Sequence, residues 1–117
     1  MTNNACDLIN DKCIPCEGGI KKNSSKKNKL LLKKLDKDWK INNSGNQLQR
    51  NYTFKNFAKT MFFVNAVAHL ADQQFHHPDI EFGYNFCKVK YSTHAVDGLT
   101  DNDFICAALI DKLHSIN

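Results

Sequence analysis

The stretch from Phe57 to Phe75 constrains this chain more than any other. Phe57, Met61, Val64, Ala68, Ala71 and Phe75 recur at alternating steps of four and three residues, the period of one helix face. Phe62, Phe63, Val67 and Leu70 widen the stripe, so this helix is expected to be buried on more than one side. Thr53 stands where an N-cap would go. Pro78 ends the segment, because it disfavours helical geometry at His77.

The flanking residues alternate with the period of a strand. Upstream, Trp39 and Ile41 alternate with Lys40 and Asn42, and Asn43-Ser44-Gly45-Asn46 forms a turn cluster. Leu48, Arg50, Tyr52 and Phe54 then restore the alternation, which predicts a β-hairpin with strands near 38–42 and 47–54. Downstream, Ile80 to Phe86 and Cys87 to Thr93 read as two more strands, with a bend at Gly83 or at Tyr84-Asn85. A first helix over 24–36 takes Ser24 or Ser25 as its cap and Leu31, Leu32 and Leu35 as its apolar face. Gly98 breaks the chain before a last helix. There Thr100-Asp101-Asn102-Asp103 has a capping-box pattern and Phe104, Ala107, Ala108, Ile110 and Leu113 are apolar. The order α-β-β-α-β-β-α predicts an α+β fold, a four-stranded antiparallel sheet with helices packed on one face.

Length and composition agree with one folded domain. The chain has 117 residues, 42% apolar and 24% charged, which excludes disorder throughout. No run approaches the ~20 apolar residues of a membrane span, so no membrane association is expected. Residues 1–11 lack the basic and apolar regions of a secretory signal. Five cysteines, an odd number, argue for free thiols and a reducing compartment, taken as the cytoplasm. The charge is uneven. Nine lysines fall between Lys21 and Lys40, against Asp36 and Asp38. Residues 1–28 show no apolar period and read as a flexible basic leader containing cysteines, with a single domain over 29–117.

Few residues carry chemistry. His76-His77-Pro78 pairs two groups that titrate near neutral pH, suited to acid/base work. His94 closes the fourth predicted strand, and Asp103 in the first turn of the last helix is able to orient an imidazole or simply serve the capping box. His69 and His114 read as structural or solvent-facing. Histidines and an aspartate also suit zinc, but the spacing of His76, His77 and His94 matches no standard ligand motif. Adjacent residues in extended chain also point to opposite faces, so no metal is expected. Cys13-Ile14-Pro15-Cys16 is a lone C-x-x-C without a second pair, and reads as two leader thiols. The lysine tract has no arginine and no interleaved aromatics, so it reads as a solvated surface, with no direct nucleic-acid binding expected.

Taken together, Asp72-x-x-x-His76-His77-Pro78, Tyr84-Asn85, Ser92-Thr93-His94, Gly98-Leu99-Thr100 and Asp103 resemble the signature of the pterin-4a-carbinolamine dehydratase family. Trp39, Phe54-Lys55-x-Phe57 and the leader Cys-x-Pro-Cys-Glu-Gly-Gly at 13–19 are similar to family members as well. Asp72 departs from the pattern, since many members carry Glu there. The resemblance covers about residues 30–115. It implies dehydration of 4a-hydroxytetrahydropterin to quinonoid dihydropterin after aromatic amino-acid hydroxylation, with no cofactor. It also implies His76 and His94 as proton-transfer groups, His77 as a group that binds or orients the pterin, Asp103 as the carboxylate that fixes an imidazole tautomer, and Trp39 at the pocket edge. The implied partners are copies of the chain itself, as a homodimer or homotetramer, and a functional link to an aromatic amino-acid hydroxylase. Some animal members also bind a homeodomain transcription factor, so the alternative is a protein-binding module with little or no catalysis.

Overall fold

The computed structural model describes residues 8, 9, 13 and 21–116. Ser24 caps the first helix, α1 (Ser25–Leu32), its hydroxyl accepting from the Lys27 amide at 3.1 Å. Leu31 and Leu35 turn into the core while Leu30 stays exposed. The boundary expected after residue 28 falls inside this helix, and Leu8 is buried in the core. Of the expected leader, Leu8 and Asn28 are buried, whereas Lys21, Lys22 and residues 24–27 are exposed.

Strand β1 (Lys40–Ile41) is short and joins β2 (Leu48–Thr53) through a turn built on Asn42. The Asn42 side-chain oxygen accepts from the amides of Asn46 and Gln47, and Gly45 takes the positive φ of 74° that the turn requires. Strands β3 (Asp79–Phe82) and β4 (Phe86–Tyr91) form the second hairpin. Residues 83–85 make its turn, so the third strand stops short of the expected Phe86. All pairings are antiparallel, in the order β1-β2-β4-β3.

The alternation read from the sequence sets the faces of the two central strands. Leu48, Arg50 and Tyr52 of β2 and Cys87, Val89 and Tyr91 of β4 face the helices and are buried. Arg50 is tolerated there because it lies 2.7 Å from Asp111, within 4 Å of Asp36 and Asp38, and over the Tyr52 ring.

The long helix α2 (Phe57–Gln74) starts later than expected. Its N-cap is Asn56, whose side chain accepts from the Lys59 amide at 2.9 Å, and Thr53 belongs to β2. Asparagine is among the best N-caps, so local chemistry decides the start. The buried face is Thr60, Phe63, Val64, Val67 and Ala71. It is turned by roughly 60° from the stripe read in the sequence, at about 100° per residue. Within this chain the helix is thus buried on one side only; Phe57 and Phe62, about 140° apart around it at about 100° per residue, are both exposed. The last helix, α3 (Asp101–Ile116), is the most enclosed element: Asn102 to Ala108 are all buried.

Candidate active site

The end of α2 delivers the first histidine. Phe75 adopts a left-handed conformation (φ 54°, ψ 35°). Its amide donates to the Asp72 carbonyl, and the His76 amide donates to that of Ala71. This is the Schellman arrangement, with phenylalanine where glycine is usual. It ends the helix and turns His76 back into the protein while Phe75 remains in solvent. Pro78 follows without a helical turn between.

His76 and His77 part company there, as neighbours in extended chain do. His76 is buried, its ring stacked on Tyr91 with planes 12° apart and centroids 5.3 Å apart. His77 is exposed and lies 2.9 Å from the Asp72 carboxylate, which is itself exposed. A pair this open to water adds little stability.

Asp103 organises the interior of the site. It is fully buried. Its Oδ1 lies 2.6 Å from His76 Nε2. Its Oδ2 accepts from the Thr93 hydroxyl at 2.8 Å and from the Thr100 amide at 2.9 Å. The amide contact is the acid half of the expected capping box. The Thr100 hydroxyl instead meets that of Thr93 at 2.9 Å. One carboxylate therefore closes the helix and holds the imidazole. An ionised carboxylate only accepts hydrogen bonds, so against an ionised Asp103 the contact needs a hydrogen on His76 Nε2.

Thr93 extends the network to the third histidine. It pairs with Gly98 in an isolated bridge, and between them His94–Val96 form one turn of 3-10 helix. His94 is exposed at the first position of that turn. Thr93, the residue before it, is the one bonded to Asp103. The backbone that carries His94 is thereby tied to the group that holds His76.

A family model described as pterin 4 alpha carbinolamine dehydratase matches residues 21–113. The chain belongs to that family. A protein of Nitrosomonas eutropha that carries the provisional name pterin-4-alpha-carbinolamine dehydratase is 49% identical over 94% of this chain and 96% of its own length. A similarly named protein of Legionella pneumophila is 49% identical over 92% of this chain and 95% of its own length. The crystal structure of a transcriptional coactivator/pterin dehydratase from Brucella melitensis has TM-score 0.74 and 25% identity, over 79% of this chain and 97% of that one. A pterin dehydratase-like protein described as a RuBisCO assembly factor in the alpha-carboxysome has TM-score 0.58 and 25% identity, over 65% of this chain and 88% of that one.

Trp39, expected at the pocket edge, packs inward. It is a core residue, 1% exposed, with its indole N–H donating to Asp111 at 2.7 Å. It also contributes to a groove of about 1020 Å³ between α1, the β1–β2 turn and residues 97–99. None of the three candidate histidines lines that groove. The one polar atom of Trp39 is satisfied by Asp111.

The sequence reading did not single out Tyr91 as a partner of His76. The signal was present, because Tyr91 has the inward parity of Cys87 and Val89. Burial pushes its phenol well above the ordinary value, so the hydroxyl stays protonated while the ring stacks on His76. Among the described residues no group of three or more His, Cys, Asp or Glu side chains is arranged to hold a metal ion. No helix among them is long and apolar enough to cross a membrane. Cys16 and Cys6 lie outside the described residues.

Proposed function

We propose that this chain dehydrates 4a-hydroxytetrahydropterin to quinonoid dihydropterin by histidine general acid/base catalysis. The observation that carries the reading is the split carboxylate of Asp103, bonded on one side to His76 and on the other to Thr93 beside His94. Family membership supplies the substrate class. The reaction removes water across the C4a–N5 bond: the 4a-hydroxyl must gain a proton to leave, and N5–H must lose one. Imidazoles near neutral pH suit both transfers. His76 and His94 are the proton-transfer groups. His77, on the open side, binds or orients the pterin. Asp103 fixes the His76 tautomer, as buried carboxylates do in other histidine sites. No metal or organic cofactor enters this chemistry.

The setting follows from the same reading. The enzyme serves tetrahydropterin recycling after an aromatic amino-acid hydroxylase, in the cytoplasm. It works as a homo-oligomer, which the large apolar side chains left exposed on α2, Phe57 and Phe62, support. The Brucella melitensis relative is described as both a transcriptional coactivator and a pterin dehydratase. A protein-binding role without catalysis is therefore the second reading, supported by those same exposed side chains.

The test is a stopped-flow assay. A phenylalanine hydroxylase generates the 4a-hydroxytetrahydropterin, and its decay is followed by ultraviolet absorbance with wild type, His94→Ala and EDTA-treated protein. The expected result is acceleration over the spontaneous rate, unchanged by EDTA and reduced about 100-fold or more in His94→Ala. Folded wild-type protein that gives no acceleration would overturn the catalytic reading in favour of the binding module.

A further inference from the structure

Two thiols that the reaction does not use lie in contact. Cys13 Sγ is 3.4 Å from Cys106 Sγ. Three bonds hold Cys13 there. Its amide donates to the Gln74 side chain at 3.0 Å, and its thiol donates to the Asn102 carbonyl at 3.6 Å. With that hydrogen spent on the carbonyl, the Cys106 S–H points at the Cys13 sulfur. Gln74 ends α2 two residues before His76, and Cys106 lies one turn beyond Asp103 on α3. Cys13 therefore bridges the ends of the two elements that carry the buried pair.

The two thiols differ in exposure. Cys13 is half-buried and Cys106 fully buried. The hydrogen bond to Cys13, together with burial, keeps Cys106 protonated. Cys13 is thus the thiol that meets a solute, and Cys106 is the one waiting behind it.

From this geometry we infer that Cys13 and Cys106 are an oxidisable pair, a modification site at which a hydroperoxide converts the two thiols to a disulfide. The Cys13 sulfur attacks the peroxide oxygen and becomes a sulfenic acid while the alcohol or water leaves. The Cys106 sulfur then attacks the Cys13 sulfur and loses its proton, and the sulfenic oxygen departs as water. Two electrons from the thiols reduce one hydroperoxide. The sulfurs need to close from 3.4 Å to about 2.05 Å, a short movement. The product strap joins positions 93 residues apart and fixes the leader across α2 and α3. The pairing stands or falls independently of the pterin reaction.

The experiment uses the full chain, reduced with dithiothreitol, desalted and treated with hydrogen peroxide. Remaining thiols are blocked with N-ethylmaleimide in denaturant, and a tryptic digest is read by mass spectrometry. Wild type and Cys16→Ser should both yield the Cys13 and Cys106 peptides joined, lighter by two hydrogens than with both thiols reduced; in wild type the free Cys16 on the Cys13 peptide adds one N-ethylmaleimide. Cys13→Ser should leave Cys106 labelled. Closing so long a loop should raise the unfolding temperature by about 10 °C, reversibly with dithiothreitol. The inference is overturned if Cys106 remains labelled in wild type, or if its link disappears in Cys16→Ser. A link that leaves the unfolding temperature unchanged would overturn the strap.

Discussion

Asp103 holds His76 at 2.6 Å from a position that solvent does not reach. Its second oxygen is occupied by Thr93 and Thr100. The carboxylate thus has little freedom to rotate, and neither does the imidazole, pressed flat against Tyr91. The Asp103→Asn variant keeps the shape but turns an N–H donor toward the His76 N–H or gives up a cap bond. Its dehydration rate is expected to fall about 100-fold or more. Stopped-flow rates beside urea unfolding check this, because a residue that only capped α3 would cost about 1 kcal/mol of stability and no rate.

Thr93→Val separates support from chemistry. The variant conserves side-chain volume but leaves Asp103 Oδ2 with the Thr100 amide alone. A buried acceptor deprived of one partner costs about 1–3 kcal/mol. Urea unfolding should register that loss, with a smaller fall in rate than Asp103→Asn causes. A Thr93→Val protein as stable as wild type would contradict the network.

Phe75 offers a test of backbone conformation. At φ 54° an L side chain costs about 1–2 kcal/mol, whereas glycine is unstrained there. The Phe75 ring is exposed, so its removal forfeits little burial. Phe75→Gly should be more stable than Phe75→Ala by about 1 kcal/mol in urea unfolding, the reverse of the order inside a helix. Equal stabilities would argue against the left-handed turn.

His114 gives the fold a pH dependence. It packs against Tyr52, Phe54 and Phe63. Burial first, and then the Arg50 charge, hold its imidazole below the ordinary value. The unfolded chain therefore takes up a proton before the native state does. Stability from this group is complete above about pH 6.5 and is lost as pH falls from there toward the lower native value. Urea midpoints measured above and below that pH should differ in wild type and differ less in His114→Phe. An equal drop in both would assign the dependence to other groups.

Strand parity and turn chemistry were legible because each is local. Leu48, Arg50 and Tyr52 face inward as their alternation requires, and Asn42 to Gly45 turn as their side chains dictate. The orientation of α2 was not legible in the same way. Its helix is apolar on two faces, and only the sheet decides that Phe63 and Val67 go inward while Phe57 and Phe62 do not. The extent of the last helix's burial and the inward place of Trp39 likewise depend on Asp111 and Arg50, distant in sequence. Within the site, the family-like spacing was enough to assign Asp103 to an imidazole, but not to say that the imidazole is His76. The stacking of His76 on Tyr91, and the two further bonds of Asp103, arise from pairings between elements that spacing does not encode.

Proton transfer by His76, held by Asp103, is tested most directly by one rate. That rate is the stopped-flow decay of 4a-hydroxytetrahydropterin with His76→Ala, set beside wild type under conditions where both are folded by circular dichroism. The expected rate is at least about 100-fold lower than wild type. A His76→Ala protein that dehydrates the substrate at the wild-type rate would contradict a proton-transfer role for this histidine.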